Sequence, residues 1–263
     1  MLVREGSHRV QRLTDRVILV AGAGAIGGEL ARRYASEGAC VMIGDIEMDS
    51  ASAVAETIAG EGGIALATQL DGSQEASIAA AVERCCKSFG GLDGLHVNFA
   101  FFEDNDVDFG VMELPLPIFD RVIDVNLRGS FLCTRHALPR IIARGGGAIL
   151  YTSSIAAYIA GPQRVGYAMS KSAVLALMRH VAARHGCDGI RANAIAPGYI
   201  VRPGQENVFT PEMIERAVGK AMIKSRIGAP DDIASLSALL MSDEGAYITG
   251  QSIAVDGGVT FRP

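Results

Sequence analysis

With 263 residues, 49% of them hydrophobic and 20% charged, the chain is long enough for one large α/β domain and apolar enough to bury a substantial core. A formal net charge of −5 speaks against a nucleic-acid binder, which needs a concentrated basic surface. No apolar run approaches the roughly 20 residues of a membrane span, and residues 1–14, with Arg4, His8, Arg9 and Arg12, read as a polar arm without the apolar segment of a secretory signal.

In chain order, the apolar run 16–21 ends in glycines and predicts a buried strand, and 26–37 predicts a helix stopped by Gly38. A second strand follows at 39–45 and a second helix at 49–59. Further strands are expected at 64–70, 95–99, 148–152, 190–195 and 252–255, separated by helical stretches, notably 118–144 and 167–185. Continuous apolar strands alternating with helices indicate a parallel sheet covered on both faces. Right-handed crossovers make a doubly wound, Rossmann-type sheet the simplest solution. No composition break or repeat divides the chain, so a single domain, 1–263, is expected. The stretch 199–224 starts irregularly, then restarts a helix at Thr210-Pro211, an N-cap with proline in the first turn. It is expected to close over a ligand.

The five cysteines, Cys40, Cys85, Cys86, Cys133 and Cys187, form neither Cys-x-x-Cys nor a metal-ligand spacing with histidine. They read as reduced thiols of a cytoplasmic protein, with no metal centre.

The segment Gly22-Ala23-Gly24-Ala25-Ile26-Gly27 follows the first strand and opens the first helix. Without side chains, the backbone turns tightly and approaches a pyrophosphate, which then sits on the helix N-terminus. Asp45 ends the second strand, where a carboxylate accepts from ribose hydroxyls and repels a 2′-phosphate. Ile46 follows it, and the glycine loop holds no basic residue, so NAD(H) is expected over NADP(H).

Tyr167 and Lys171 are one helical turn apart and share a helix face. A cation beside a phenol favours the phenolate, drawing tyrosine from about 10 towards working pH. That is what a general acid/base for alcohol–carbonyl chemistry requires.

With the glycine loop, Asp45 and Tyr-x-x-x-Lys in this order, the chain resembles the compact single-domain branch of the short-chain dehydrogenases/reductases over nearly its whole length. Ser154, thirteen residues before Tyr167, is similar to the family's catalytic serine, and Asn126 to the helix asparagine of its catalytic tetrad. Asp71 resembles the aspartate that contacts adenine, with Gly72, Asn98 and Ala100 as further cofactor contacts. Asn193 to Gly198 resembles the segment beside the nicotinamide, which implies contacts from Pro197, Gly198 and Ile200. Arg226 to Pro230, Ile248 to Gln251 and Val255 to Gly258 resemble the family's C-terminal third.

The resemblance implies that Tyr167 exchanges a proton with the substrate oxygen while hydride passes to or from the nicotinamide. Lys171 would hold the nicotinamide ribose, Ser154 orient the substrate oxygen, and Asn126 anchor a water linking Lys171 to solvent. A homotetramer assembled through the helical stretches near 127–144 and 165–184 is likewise implied.

Three departures from the family pattern stand out. Ala21 replaces a threonine, and the glycine loop is one residue shorter. Phe101 and Phe102 put bulk where glycine is usual, either as core or as an aromatic wall. The threonine that commonly follows Pro-Gly is absent, leaving contact there to backbone such as that of Ile200. The substrate is expected to meet Phe101, Phe102, Ile155, Ala157, Tyr158, Tyr199 and residues 201–213 beside Ser154, which suits a hydrophobic or ring-bearing molecule. Glu103, Asp104, Asp106 and Asp108 read as solvated loop charge. Oxidation of a secondary alcohol to a ketone by NAD is the first expectation; carbonyl reduction is the same chemistry in the opposite direction, and a non-catalytic NAD(H)-binding sensor or scaffold is the alternative.

Overall fold

The structure, a computed structural model, describes residues 10–102, 110–159, 161, 164–201 and 210–261. Seven strands, β1 (Val17–Ala21), β2 (Cys40–Asp45), β3 (Ile64–Gln69), β4 (Gly94–Val97), β5 (Gly147–Thr152), β6 (Ile190–Pro197) and β7 (Ser252–Val255), form one sheet. Its order is β3-β2-β1-β4-β5-β6-β7, and every pairing is parallel.

Side chains alternate across a strand, and both faces of this sheet are covered. Leu19 and Ala21 of β1, Met42 of β2 and Ile149 and Tyr151 of β5 point into one core. That core is closed by α3 (Glu75–Phe89), α5 (Gly129–Ala143) and α6 (Val165–His185). Ile18, Val20, Val41, Ile43 and Leu150 point into the other, under α1 (Ala25–Ser36), α2 (Met48–Gly60) and α8 (Pro230–Met241). Burial on both faces is the reason the strands read as unbroken apolar runs.

The expected helix 118–144 is a composite. It comprises α4 (Leu116–Val122), one π-helical turn (Ile123–Arg128) and α5. π-turns distort the ordinary ladder and gather at functional sites. Asn126 lies inside this one, and Gly129 follows it. A Cβ on Gly129 would stand 2.3 Å from the Gly72 carbonyl oxygen, so the absent side chain lets the helix approach the loop after β3.

α7 (Pro211–Lys220) starts at Thr210, whose hydroxyl accepts from the Met213 N–H at 3.3 Å, as its sequence predicts. The polar arm is shorter than expected on the strand side. Leu13 is fully buried, and Arg12 pairs with both Glu37 oxygens at 2.7 Å. Residues 1–9 lie outside the described residues. All five cysteines are free, and no described helix is long and apolar enough to cross a membrane.

Candidate active site

The order β3-β2-β1-β4 reverses chain direction across the sheet between β1 and β4, and open α/β sheets bind ligands at the strand C-termini beside such a point. A cavity of about 750 Å³ lies there, lined by residues that follow or end β1, β2, β3, β4, β5 and β6. Its size is that of a site for a sizeable organic ligand.

At one end stands the glycine loop. Gly22 takes φ 106°, a left-handed conformation natural to glycine, and its N–H donates to the Gly44 carbonyl at 2.6 Å. A Cβ on Gly27 would lie 1.7 Å from the Gly22 oxygen, whereas one on Gly24 would meet open space. Gly27 therefore packs the loop onto α1 from beneath, while Gly24, Ala25 and Ile26 face the cavity. The α1 N-terminus has neither a side-chain cap nor an acidic residue in its first turn. Its first N–H groups have no intrahelical partner, so they suit an anion.

Asp45 and Asp71 close this end. The Asp45 carboxylate accepts from the Ala23 N–H at 2.6 Å and the Glu47 N–H at 2.9 Å; it braces the glycine loop as well as facing the cavity. Ile46 beside it is half exposed on the rim. Asp71 accepts from the Ser73 N–H and hydroxyl at 2.9 and 2.7 Å.

Phe99, which sequence reasoning passed over, packs beneath the loop among glycines. A Cβ on Gly72 would be 2.9 Å from its ring, one on Gly129 3.1 Å, and one on Gly22 2.6 Å from its main-chain nitrogen. Three missing side chains make room for one large one. The only cue in sequence was the spread of glycines at 22, 72 and 129, which nothing local connects.

A buried polar chain supports the same loop. Tyr34 meets His96 Nδ1 at 2.7 Å, His96 Nε2 meets Thr152 Oγ1 at 3.0 Å, and Thr152 donates to Asn98 Oδ1 at 2.9 Å. Asn98 Nδ2 then donates to the Gly22 carbonyl at 3.3 Å. Since the Thr152 proton goes to Asn98, His96 must donate from Nε2 and accept from Tyr34 at Nδ1. Burial drives the His96 pKa down to about 3, so the ring stays neutral and the tautomer is fixed.

The other end gathers the predicted chemistry. Lys171 is buried, its ammonium lies 5.7 Å from the Tyr167 ring centre, and Nζ donates to the Thr152 carbonyl at 2.7 Å. Burial lowers its pKa to about 8. Ser154 sits between β5 and a short 3₁₀ turn (Ile155–Ala157), and its hydroxyl oxygen accepts from the Ala156 N–H at 3.1 Å. That bond uses a lone pair and leaves the O–H to donate into the cavity. Ser154, Tyr167 and Lys171 all line the cavity, as do Ala100, Phe101, Phe102, Pro197, Gly198, Tyr199 and Ile200.

Phe102 stacks on Tyr167 with ring centres 4.9 Å apart. Arg121 lies over Phe101 at 5.0 Å and Arg164 over Phe102 at 5.8 Å; both arginines line the cavity, and neither stood out in the sequence.

Two predicted residues make contacts that their sequence does not announce. Asn126 is absent from the cavity wall. Its amide accepts from the Phe101 N–H at 2.6 Å and donates to the Phe101 carbonyl at 2.9 Å and to Ser170 at 3.1 Å. It therefore clasps the loop after β4 to α6. Tyr158, expected against the substrate, turns away: the capped 3₁₀ turn directs it to β7, where its hydroxyl donates to Ser252 Oγ at 2.5 Å. Its ring, like Ala157, packs on the core. The expected cover from 199–224 is partial. Tyr199 and Ile200 line the main cavity, whereas α7 lines a neighbouring one of about 200 Å³ that shares those two residues. Residues 202–209 and the acidic residues Glu103, Asp104, Asp106 and Asp108 lie outside the described residues.

A family model described as Enoyl-(Acyl carrier protein) reductase matches residues 20–260. A probable short-chain type dehydrogenase/reductase of Bradyrhizobium diazoefficiens is 38% identical, covering 94% of this chain and 88% of the relative. A cis-4-hydroxycyclohexanecarboxylate dehydrogenase of Sinomonas cyclohexanicum is 34% identical over 95% of this chain and 98% of its own length. A cyclohexanol dehydrogenase of an Acinetobacter species is 34% identical, with 95% and 97% covered. The glycine loop, the Ser154–Tyr167–Lys171 cluster and these matches lead to one conclusion: the chain belongs to the short-chain dehydrogenase/reductase family of oxidoreductases.

Proposed function

We propose that this protein moves hydride between NAD(H) and a ring-bearing secondary alcohol or its ketone. The observation that carries the proposal is a single cavity joining the glycine loop to Ser154, Tyr167 and Lys171. The fit to a dinucleotide rests on the loop itself: an uncapped helix N-terminus for a pyrophosphate, space above Gly24, and carboxylates at the far end for ribose and adenine. Asp45 with exposed Ile46 supports NAD(H), since the cations of the cavity wall, Arg121, Arg164 and Lys171, come from elements at the Tyr167 end. A bound nicotinamide dinucleotide supplies the hydride carrier.

In the oxidising direction, Ser154 donates a hydrogen bond to the substrate oxygen while the Tyr167 phenolate takes its proton. In the reducing direction, Tyr167 returns that proton. Lys171 is charged below its pKa of about 8, and this charge favours the phenolate while the ammonium stands ready for ribose hydroxyls. Asn126 acts as a positioning residue that keeps the Phe101 loop and α6 in register and supports proton exchange around Lys171.

Phe101, Phe102, Ile155 and Tyr199 give the substrate an apolar wall, which suits a ring, as do the relatives named for cyclohexane-ring alcohols. Exposed Phe131 on α5 and Met169 on α6 suit a homotetramer built through these helices, and the free thiols suit the reducing cytoplasm.

NADH titration together with turnover of cyclic and aromatic secondary alcohols tests the proposal. The expected result is micromolar-range NADH binding with NAD-dependent oxidation of ring alcohols. NADH binding without turnover of any alcohol or ketone would favour a sensor instead.

A further inference from the structure

The smaller chamber, of about 200 Å³, lies between α7 and the turns that follow β6 and β7. Tyr199 and Ile200 line both spaces, so the chamber and the main cavity meet at one wall. That wall is fixed from the α7 side: the Tyr199 hydroxyl accepts from Lys220 Nζ at 3.3 Å, and the same ammonium lies 5.7 Å from the ring centre. The Val201 N–H donates to the Gly228 carbonyl at 2.9 Å, and a Cβ on Gly228 would stand 2.6 Å from Ile200 Cδ1. Across the chamber, the N–H groups of Met222 and Ile223 donate to the Gly257 carbonyl at 2.7 and 3.0 Å, which fastens the end of α7 to the turn after β7.

Small side chains keep this space open. Ala217 and Ala221, one helical turn apart, are both buried and face it with methyl groups. The charged groups of its wall are spent on protein partners. Arg226 and Asp232 form a two-bond pair at 2.6 and 2.7 Å, and the Asp256 carboxylate accepts from the Gly258 N–H, the Thr260 N–H and the Thr260 hydroxyl. What the chamber chiefly offers a ligand is the apolar surface of Val218, Ile223, Ile227, Val255 and Val259. An apolar cavity of about 150 Å³ takes a benzene molecule, so this one has room for a six-membered ring.

We propose that the chamber is a tail pocket, and that the substrate is an alcohol or ketone whose reacting ring carries a second, uncharged hydrocarbon group of about one ring's size. The substrate oxygen meets Ser154 and Tyr167, the reacting ring lies in the main cavity, and the tail passes Tyr199 into the space beneath α7. Tyr199 is then a specificity-determining residue, because its tethered ring sets where the substrate crosses from one space to the other. Apolar contact remote from the reacting carbon supplies binding energy that holds that carbon in place. This inference rests on the alcohol–ketone reading of the site and deepens it.

The test compares cyclohexanol with cyclohexanols bearing a cyclohexyl group at the ring carbon opposite the hydroxyl or beside that one. In wild type, kcat/KM should favour the better tailed isomer by about tenfold or more. Ala217→Leu fills the chamber from α7 and should bring the ratio down towards one, with Val218→Phe as a second filling variant. Arg216→Leu places the same bulk on the exposed face of α7 and should leave the ratio as in wild type. Because the ratio is taken within each variant, a general loss of activity does not mimic the effect. A wild-type ratio of one or less overturns the tail pocket, as does a ratio that both filling variants leave unchanged or that Arg216→Leu lowers equally.

A second measurement needs no turnover: calorimetric binding of cyclohexanone and of its better cyclohexyl-bearing derivative to NADH-loaded Tyr167→Phe protein. The tailed ketone should bind at least about tenfold more tightly, and Ala217→Leu should remove the difference. Turnover of ring alcohols with a ratio indifferent to chamber filling leaves the hydride-transfer reading standing and ends the tail pocket. Tail-selective binding lost on filling, with no alcohol oxidised by wild type, supports the pocket and ends the hydride-transfer reading.

Discussion

At the glycine-loop end of the cavity, the wall is main chain and short side chains clamped by hydrogen bonds, whereas at the Tyr167 end it is long side chains laid against one another. The loop end has the Gly22 amide on Gly44, the Ala23 amide on Asp45 and the Gly22 carbonyl under Asn98. Around Tyr167, Phe102 stacks on the phenol ring and Arg121 and Arg164 lie over Phe101 and Phe102. Backbone donors offer a chemistry common to every dinucleotide and cannot easily be exchanged. Stacked side chains change with each substitution, which is how one fold accommodates many substrates. The contrast predicts that damage at the loop end spreads to cofactor binding and stability, while damage at the aromatic end stays within substrate selectivity.

The largest expected effect is at Gly27. An alanine there would place its Cβ 1.7 Å from a main-chain oxygen, and the loop must shift; overpacking of this kind costs on the order of 3 kcal/mol. NADH affinity of Gly27→Ala, read by fluorescence titration, should fall about 100-fold. Near-normal affinity would mean that the loop is not held as described.

Lys171 comes next. Its burial holds the pKa at about 8, while the unfolded lysine keeps its proton up to 10.5. Between those values the unfolded state binds more protons, so stability of the cofactor-free protein rises with pH. Full release of the penalty is on the order of 3 kcal/mol. Wild type measured against Lys171→Met by chemical denaturation should therefore gain stability from pH 8 to 10, and a difference constant with pH would contradict it.

Asp45→Ser should shift the NAD/NADP preference by about 10- to 100-fold. Since Asp45 also braces Ala23 and Glu47, affinity for both cofactors should drop, and only the ratio reads its contact with the ligand. An unchanged ratio would refute that contact.

Smallest is the buried chain: His96→Leu should cost about 1–3 kcal/mol and raise the KM for NADH more than it lowers kcat, with His96→Gln recovering part. A lowered kcat at unchanged NADH affinity would move His96 out of the loop-supporting role.

Much of the loop end was legible in sequence, because what it needs is local. Glycine spacing, a strand before it, a helix after it and a carboxylate ending the next strand are all read within about thirty residues of chain. The same holds for the strands, whose double-sided burial leaves an unbroken apolar run, and for the Tyr167–Lys171 pair on one helix face. What escaped depends on contacts between distant residues. Phe99 is explained by glycines at 22, 72 and 129, and His96 by Tyr34 and Thr152. Asn126 carries a tetrad signature, yet its amide is engaged by the Phe101 backbone in a π-turn that no periodicity announces. Tyr158 was misplaced by its nearness to Ser154; one capped 3₁₀ turn between them sends it to Ser252 instead.

Tyr167→Phe tests the central claim most directly, because it removes one oxygen and leaves the stacking with Phe102 in place. Ring-alcohol oxidation should fall by about 100- to 10,000-fold, the range of a lost general acid/base, while NADH affinity stays within about twofold of wild type, there being no cofactor-clasping bond lost at the glycine loop. Turnover persisting near the wild-type rate would contradict the assignment of Tyr167 as the group that exchanges the substrate's proton.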